Sequence, residues 1–205
     1  MSAAAAPLPE PPSPPPNLAK RKPLLRTLPV GASVHRIYNN AHNPMHFDRR
    51  TGDAGNRFNA PDGSYGVMYT SQEREGAFGE TFLREPGQTL VSMKLMRSKG
   101  YVRFELKREL VLLQLYGRGL ARVGATAEIN HMSSSYSLTQ AWSKALRQAF
   151  PQIEGIAYTG RHNEQICLAL IHTTETALHE AEREPDLMGR SWFARLLEDY
   201  MLGVM

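Results

Sequence analysis

Residues 55–81 read GNRFNAPDGSYGVMYTSQEREGAFGET, and the order of elements in this run organises the rest of the chain. Pro61-Asp62-Gly63 has turn chemistry, since proline presets φ and glycine accepts the positive φ that closes a turn. Gly66–Tyr69 is short, apolar and β-prone, so a strand follows. Thr70 with Glu73 has capping-box spacing, which predicts a helix straight after the strand. That helix is unusual inside. Gly76 and Gly79 each cost it about 1 kcal/mol relative to alanine. Phe78 and Phe82, four apart, mark its buried face. Glu80 falls away from that face, on the stripe of Gly76 and Ala77, which suggests a carboxylate with open space beside it. The ordinary alternative is a solvated glutamate on a weak helix.

The whole chain sets the outer bounds. Its 205 residues suit one domain plus a tail, long enough to bury a proper core. Lys and Arg number 24 against 20 Asp and Glu, a net charge of +4. That surplus is compatible with anionic small molecules and too weak and scattered to argue for nucleic acid. A lone cysteine, Cys167, excludes an internal disulfide and cysteine-built zinc cages, and leans towards a reducing compartment. No run approaches the ~20 apolar residues of a membrane span. Proline breaks the N-terminal alanines at once, so no secretory leader is read and a cytoplasmic location is expected.

Residues 1–28 read as an unstructured arm: Ala3–Ala6, then PLPEPPSPPP, then the basic patch Lys20-Arg21-Lys22 with Arg26. The folded domain is expected over 29–205. Ser33–Tyr38 is a first strand with Val34, Arg36 and Tyr38 on one face. An arginine sharing a face with apolar residues either reaches solvent at an edge or meets an anion. His42, His46 and Asp48 lack helical spacing or a cysteine partner, so no metal site is assigned. Thr89–Met96 alternates and predicts a strand, as does Tyr101–Leu106, while Leu110–Leu115 is a buried strand or the start of a helix. Gly117, Gly119 and Gly124 do not form a GxGxxG turn after a strand, so a Rossmann dinucleotide fold is not indicated. Ser137–Phe150 is the clearest helix, with a Ser137–Gln140 capping box and Trp142 in its core stripe. Ile153–Tyr158 and Ile166–Ile171 are strands around a turn carrying Thr159, Gly160, Arg161 and His162. Ser191–Met201 closes the chain as an amphipathic helix. Strands and helices interleave without a regular βαβ repeat, so the class is α+β: one compact domain with a small mixed sheet.

Arg36, Arg57 and Arg161 fall at strand ends or turns with Tyr65, Tyr69 and Glu80. Arginine's planar fork grips phosphates, and tyrosine offers a flat face to a base. A carboxylate beside a sugar stabilises an oxocarbenium-like transition state. The residues alone therefore indicate an anionic, nucleotide-like ligand, and they fit cleavage of an N-glycosidic bond in a dinucleotide.

HRIY at 35–38, NRFN at 56–59, GSYGVMYTS…AFGET across 63–81, LTQAW at 138–142 and GIAYTGRH at 155–162 together resemble the RES-domain family. The resemblance spans about residues 30–172, carried by the order and spacing of the motifs. It implies a fold like that of ADP-ribosyltransferase toxins and consumption of NAD⁺ by hydrolysis or phosphorolysis. Many members are toxins neutralised by a helix-turn-helix antitoxin. By resemblance, Arg36 and Arg57 hold the dinucleotide phosphates or an incoming phosphate, Tyr69 lines the nicotinamide-ribose pocket, and Glu80 is the catalytic carboxylate. Arg57 joins Glu80 as catalytic; Tyr65, Thr159, Gly160 and Arg161 join Arg36 and Tyr69 in binding substrate. NAD⁺ is then the substrate, with inorganic phosphate as co-substrate, and no cofactor or metal is called for.

One departure stands out. The family's serine, which precedes an arginine at a strand end, is matched here by Gly160. Thr159 carries a hydroxyl, but adjacent strand residues face opposite sides. Three readings follow: an NAD⁺ glycohydrolase or phosphorylase acting as a toxin, a non-catalytic nucleotide-binding protein, and an ADP-ribosyltransferase acting on a macromolecule.

Overall fold

A computed structural model describes residues 11–83, 87–131 and 135–205. The strands are β1 (Leu25–Leu28), β2 (Ser33–Asn39), β3 (Val67–Ser71), β4 (Leu90–Val91), β5 (Lys99–Leu106), β6 (Leu110–Gln114), β7 (Gly155–Thr159), β8 (Ile166–Ile171), β9 (Leu178–Glu184) and β10 (Gly203–Val204). The helices are α1 (Arg74–Phe82), α2 (Met93–Arg97), α3 (Arg118–Val123), α4 (Glu128–His131), α5 (Ser137–Ala149) and α6 (Ser191–Asp199). Eight strands form one mixed sheet in the order β1-β6-β7-β8-β3-β2-β5-β9, with β6 and β7 parallel and the other neighbours antiparallel. The fold is α+β, as the element pattern implied.

Both faces of the sheet are apolar, for different reasons. On β8, Cys167, Ala169 and Ile171 face a cluster with Trp142 and Leu146 of α5, while Leu168 and Leu170 face the other way. The second cluster draws Leu28, Val34, Met68, Phe104, Leu112 and Leu178 from six strands, so the sheet curls over and packs against itself. The period-2 alternation of side chains makes both burials possible in one strand. Phe78 and Phe82 of α1 fill a third cluster with Phe193 of α6, each ring worth about 1.5–3 kcal/mol on burial.

Several local expectations are corrected. The predicted arm divides: residues 1–10 lie outside the described residues, whereas residues from 11 onward belong to the fold. Leu18 is buried in the α5 cluster, Trp142 Nε1–H donates to the Pro12 carbonyl at 2.8 Å, and β1 pairs with β6. Residues 11–18 thus form a strap across α5, whose prolines offer carbonyls although they lack N–H donors. Thr89–Met96 is not one strand. Ser92 Oγ accepts from the Leu95 N–H and caps α2, turning the chain after only two residues of β4. At α1 the cap is not the Thr70–Glu73 box: Glu73 occupies the N-cap, and Ser71 Oγ accepts its N–H. Tyr136, not Ser137, precedes α5, and no side chain caps that helix.

The sheet is split at its centre. β2 and β3 pair only at His35–Ser71 and then diverge. Asp48 bridges to Val67 from the connecting segment, with backbone bonds of 2.9 Å in each direction. This gap between two strands of one sheet positions the site.

Candidate active site

A cavity of about 1080 Å³ opens in the split, bounded by Arg36–Asn39 on β2, Val67, Tyr69 and Thr70 on β3, and Ala77, Gly79 and Glu80 on α1. Six Arg or Lys residues line it (36, 49, 50, 57, 99 and 161) against two carboxylates, Asp48 and Glu80. Arg50 and Asp48 satisfy one another at 3.0 Å, which leaves the balance strongly cationic. Such a surplus favours a polyanionic ligand.

Arg57 sits at the end of a loop pinned from every side. Asn56 Nδ2 donates to Asp48 at 2.9 Å, and Asn59 Nδ2 to the Arg50 carbonyl at 3.0 Å. Gln140 of α5 donates to the carbonyls of Gly52 and Asn56, and Ser143 Oγ donates to that of Phe58 at 2.7 Å. The asparagines of NRFN and the glutamine of LTQAW are therefore scaffolding for the arginine between them. Its guanidinium lies 5.5 Å from the Tyr158 ring centroid and 6.0 Å from that of Phe58. Arg57 is only 8% exposed, and its Nε has no hydrogen-bond partner. Burial pulls its pKa down, but Tyr158, Glu80, Tyr136 and Tyr69 raise it overall, so it stays cationic. An unpaired buried donor costs about 1–3 kcal/mol. Thr70 Oγ1, also in the cavity wall, carries the same kind of cost.

Glu80 projects from the last turn of α1, and the Tyr158 hydroxyl donates to its Oε2 at 3.0 Å. Burial, with Glu80 beside it, drives the Tyr158 pKa well up, so the phenol remains a donor. The glycines of α1 have a meaning other than open space. A Cβ at Gly76 would strike Ser71 Oγ, and one at Gly79 would lie 2.7 Å from Asn163 Nδ2. The helix needs them to approach the sheet and the β7–β8 turn, and this approach carries Glu80 to the cavity.

Other candidates divide. Arg36 lines the cavity, donates to the His46 carbonyl at 2.9 Å, and is lowered by burial to about 10, still charged at neutral pH. Tyr69 lines it with its ring, because its hydroxyl accepts from the Phe58 N–H at 2.7 Å and donates to Asn59 at 3.2 Å. Arg161 is in the wall, with His162 beside it. Tyr65 is not: it is 4% exposed beneath α5, its hydroxyl 2.7 Å from Ser143, too deep to meet a ligand. Thr159 and Gly160 also fall outside the lining residues, and Gly160 is spent on closing the turn through its N–H to the Gln165 carbonyl at 2.8 Å. Sequence reasoning missed Tyr136, in the approach to α5, and Thr70, next to Tyr69. Neither sits in a spacing that marks it. Tyr158 lay within GIAYTGRH without being singled out.

His42 and His46 stack with ring centroids 4.9 Å apart at the rim. Among the described residues no group of three or more His, Cys, Asp or Glu could hold a metal, and no helix is long and apolar enough to cross a membrane.

The model of the RES domain matches residues 33–192, most of the chain, which therefore belongs to the RES domain family. The fold is shared with a chain of the crystal structure of the M. tuberculosis MbcT–MbcA toxin–antitoxin complex. That match has a TM-score of 0.59 at 16% identity, over 84% of this chain and 92% of the other. Comparison with curated protein sequences gives no match.

Proposed function

We propose that this protein degrades NAD⁺, cleaving the bond between nicotinamide and ribose by hydrolysis or phosphorolysis. The observation that carries the reading is the pairing of an under-satisfied, buried Arg57 with Glu80 in one cationic cavity. Arg36, Arg57 and Arg161 supply charge for the pyrophosphate or an incoming phosphate, and the rings of Tyr69 and Tyr136 offer apolar walls to the base. As the C1′–N bond breaks, its electron pair goes to the nicotinamide nitrogen and neutralises the pyridinium. Glu80, held by Tyr158, faces the cation left on the sugar. Water or phosphate then adds to C1′, and water gives up a proton as it does so. No cofactor is required.

Purified protein incubated with NAD⁺, with and without inorganic phosphate, and read by mass spectrometry tests this. Free nicotinamide with ADP-ribose, or with its 1-phosphate, is the expected result; intact NAD⁺ under both conditions contradicts it. Intact NAD⁺ would favour a binding protein without turnover, a reading motivated by Gly160, which brings no hydroxyl to the cavity. Label passing from NAD⁺ to a protein or nucleic acid in a lysate would instead indicate a transferase.

A cytoplasmic toxin restrained by an antitoxin fits this chemistry, since unchecked NAD⁺ loss harms the cell that makes the enzyme. The shared fold with a chain of a toxin–antitoxin complex supports that role. Growth arrest on expression, relieved by a helix-turn-helix protein encoded next to it, is the expected outcome.

A further inference from the structure

We propose that Asn163 is a positioning residue for Glu80, filling a slot that two glycines leave open and thereby excluding any side chain at position 160. The proposal rests on the assignment of Glu80 as the catalytic carboxylate. The slot lies between α1 and the β7–β8 turn. Asn163 Nδ2 donates to the Glu75 carbonyl at 3.0 Å, in the first turn of α1, and its Oδ1 accepts from the Gln165 N–H at 3.3 Å. A Cβ at Gly79 would lie 2.7 Å from Asn163 Nδ2, and one at Gly160 would lie 2.8 Å from its Oδ1. The amide is thus gripped between the residue before Glu80 and the residue that stands where the family has serine.

The Glu75 side chain is held as well, from the same turn and from the C-terminal end of α6. Gln165 Nε2 donates to Oε2 at 3.1 Å, and the Tyr200 hydroxyl to Oε1 at 2.6 Å. On the other flank Tyr158, two residues before Gly160, donates to Glu80 itself. Strand β7 and the β7–β8 turn together therefore meet α1 at Glu75, at Gly79 and at Glu80. Asn163 is the member that acts through packing as well as hydrogen bonding. Its amide takes the space in which a residue-160 side chain would begin, so serine at 160 and asparagine at 163 are alternatives.

Four proteins test this: wild type, Asn163→Ala, Gly160→Ser and the double variant. With NAD⁺ as substrate, Asn163→Ala is expected to lower kcat about ten- to a hundred-fold while KM stays within about three-fold, because a carboxylate displaced by an ångström still leaves the binding groups in place. An unchanged kcat, or a rise in KM alone, overturns the positioning role. Thermal unfolding reads the slot without turnover. Gly160→Ser is expected to lower Tm in the parent and to lower it much less, or raise it, in the Asn163→Ala background. Strictly additive Tm changes overturn the mutual exclusion. A wild-type protein that leaves NAD⁺ intact overturns the catalytic reading and with it the positioning role, while the unfolding cycle still decides whether Asn163 excludes a side chain at 160.

Discussion

Two arginines, Arg74 at the start of α1 and Arg57 in the cavity wall, each lie against a pair of aromatic rings, and they are used in opposite ways. Arg74 lies 4.8 Å from the Tyr101 ring and 5.2 Å from that of Trp192. It also donates to the Tyr101 hydroxyl at 2.9 Å and to both oxygens of Glu182 at 3.0 and 3.2 Å. Its Nε and Nη2 donors are matched. Arg57 has comparable ring contacts in the cavity wall, but no ion pair among the described residues and a buried Nε without a partner. A satisfied guanidinium between rings ties elements together; an unsatisfied one in a cationic cavity is held ready for an anion. Ring contacts alone would have ranked the two alike. The inventory of partners separates them.

The largest effect that would sharpen this contrast lies beside Arg57. Glu80→Gln keeps an acceptor for Tyr158 yet removes the charge, and should reduce NAD⁺ cleavage about 10³-fold with the fold intact, as initial rates would show. Replacing each arginine by methionine should give opposite results. Arg57→Met is expected to raise the Kd for NAD⁺ at least about ten-fold, measured by calorimetry, with stability unchanged or improved, since a buried, poorly satisfied charge is removed. Arg74→Met should cost about 1 kcal/mol of stability by leaving Glu182 and Tyr101 short of a donor, the partial exposure of the pair limiting the loss, with NAD⁺ affinity little changed. Equal behaviour of the two variants in both assays would break the comparison.

The Arg74 network also predicts a pH effect. His35 Nδ1 lies 2.7 Å from the Tyr101 hydroxyl; burial, then Arg74 and Arg103, lower its pKa from 6.5 to about 4. Because the folded value is depressed, the unfolded chain binds the proton first as pH falls. Stability from neutral His35 is present above about 6.5 and is lost progressively towards about 4, by no more than about 2 kcal/mol after allowance for solvent. His35→Gln should flatten that part of the acid limb in urea unfolding. The smallest effect concerns the strap: Trp142→Phe deletes the bond to the Pro12 carbonyl and should cost about 1–2 kcal/mol by chemical denaturation.

How much of this was legible depended on whether the signal was local. A shared face marked β2, and short apolar runs marked β3 and β8, within a residue or two, because β3 and β8 are buried along nearly their whole length. The edge strand β9 was invisible: its LHEAERE run puts Glu180, Glu182 and Glu184 on the half-buried side and His179 and Arg183 on the exposed side, charges that guard a sheet edge and leave no apolar alternation to read. Residues 89–96 alternate, but one serine cap redirects them. The strap looked unstructured because its anchors, Leu18 and the Pro12 carbonyl, depend on a tryptophan far along the chain. Of the candidates read from residue type, Arg36, Arg57, Tyr69, Glu80 and Arg161 line the cavity, although Arg36 lies within β2 and Glu80 within α1 rather than at a strand end or turn. Tyr65 was misplaced because a tyrosine near a turn reads the same whether its ring goes down into the core or across into a cavity. Thr70, Tyr136 and Asn163 act through contacts between distant segments, which no spacing records.

The most direct measurement compares wild type and Glu80→Gln at saturating NAD⁺, reading nicotinamide release by mass spectrometry and binding by calorimetry. The prediction is that both bind and only the wild type cleaves. Cleavage by Glu80→Gln at the wild-type rate, or failure of both to bind, would contradict the placing of glycosidic chemistry in the split between β2 and β3.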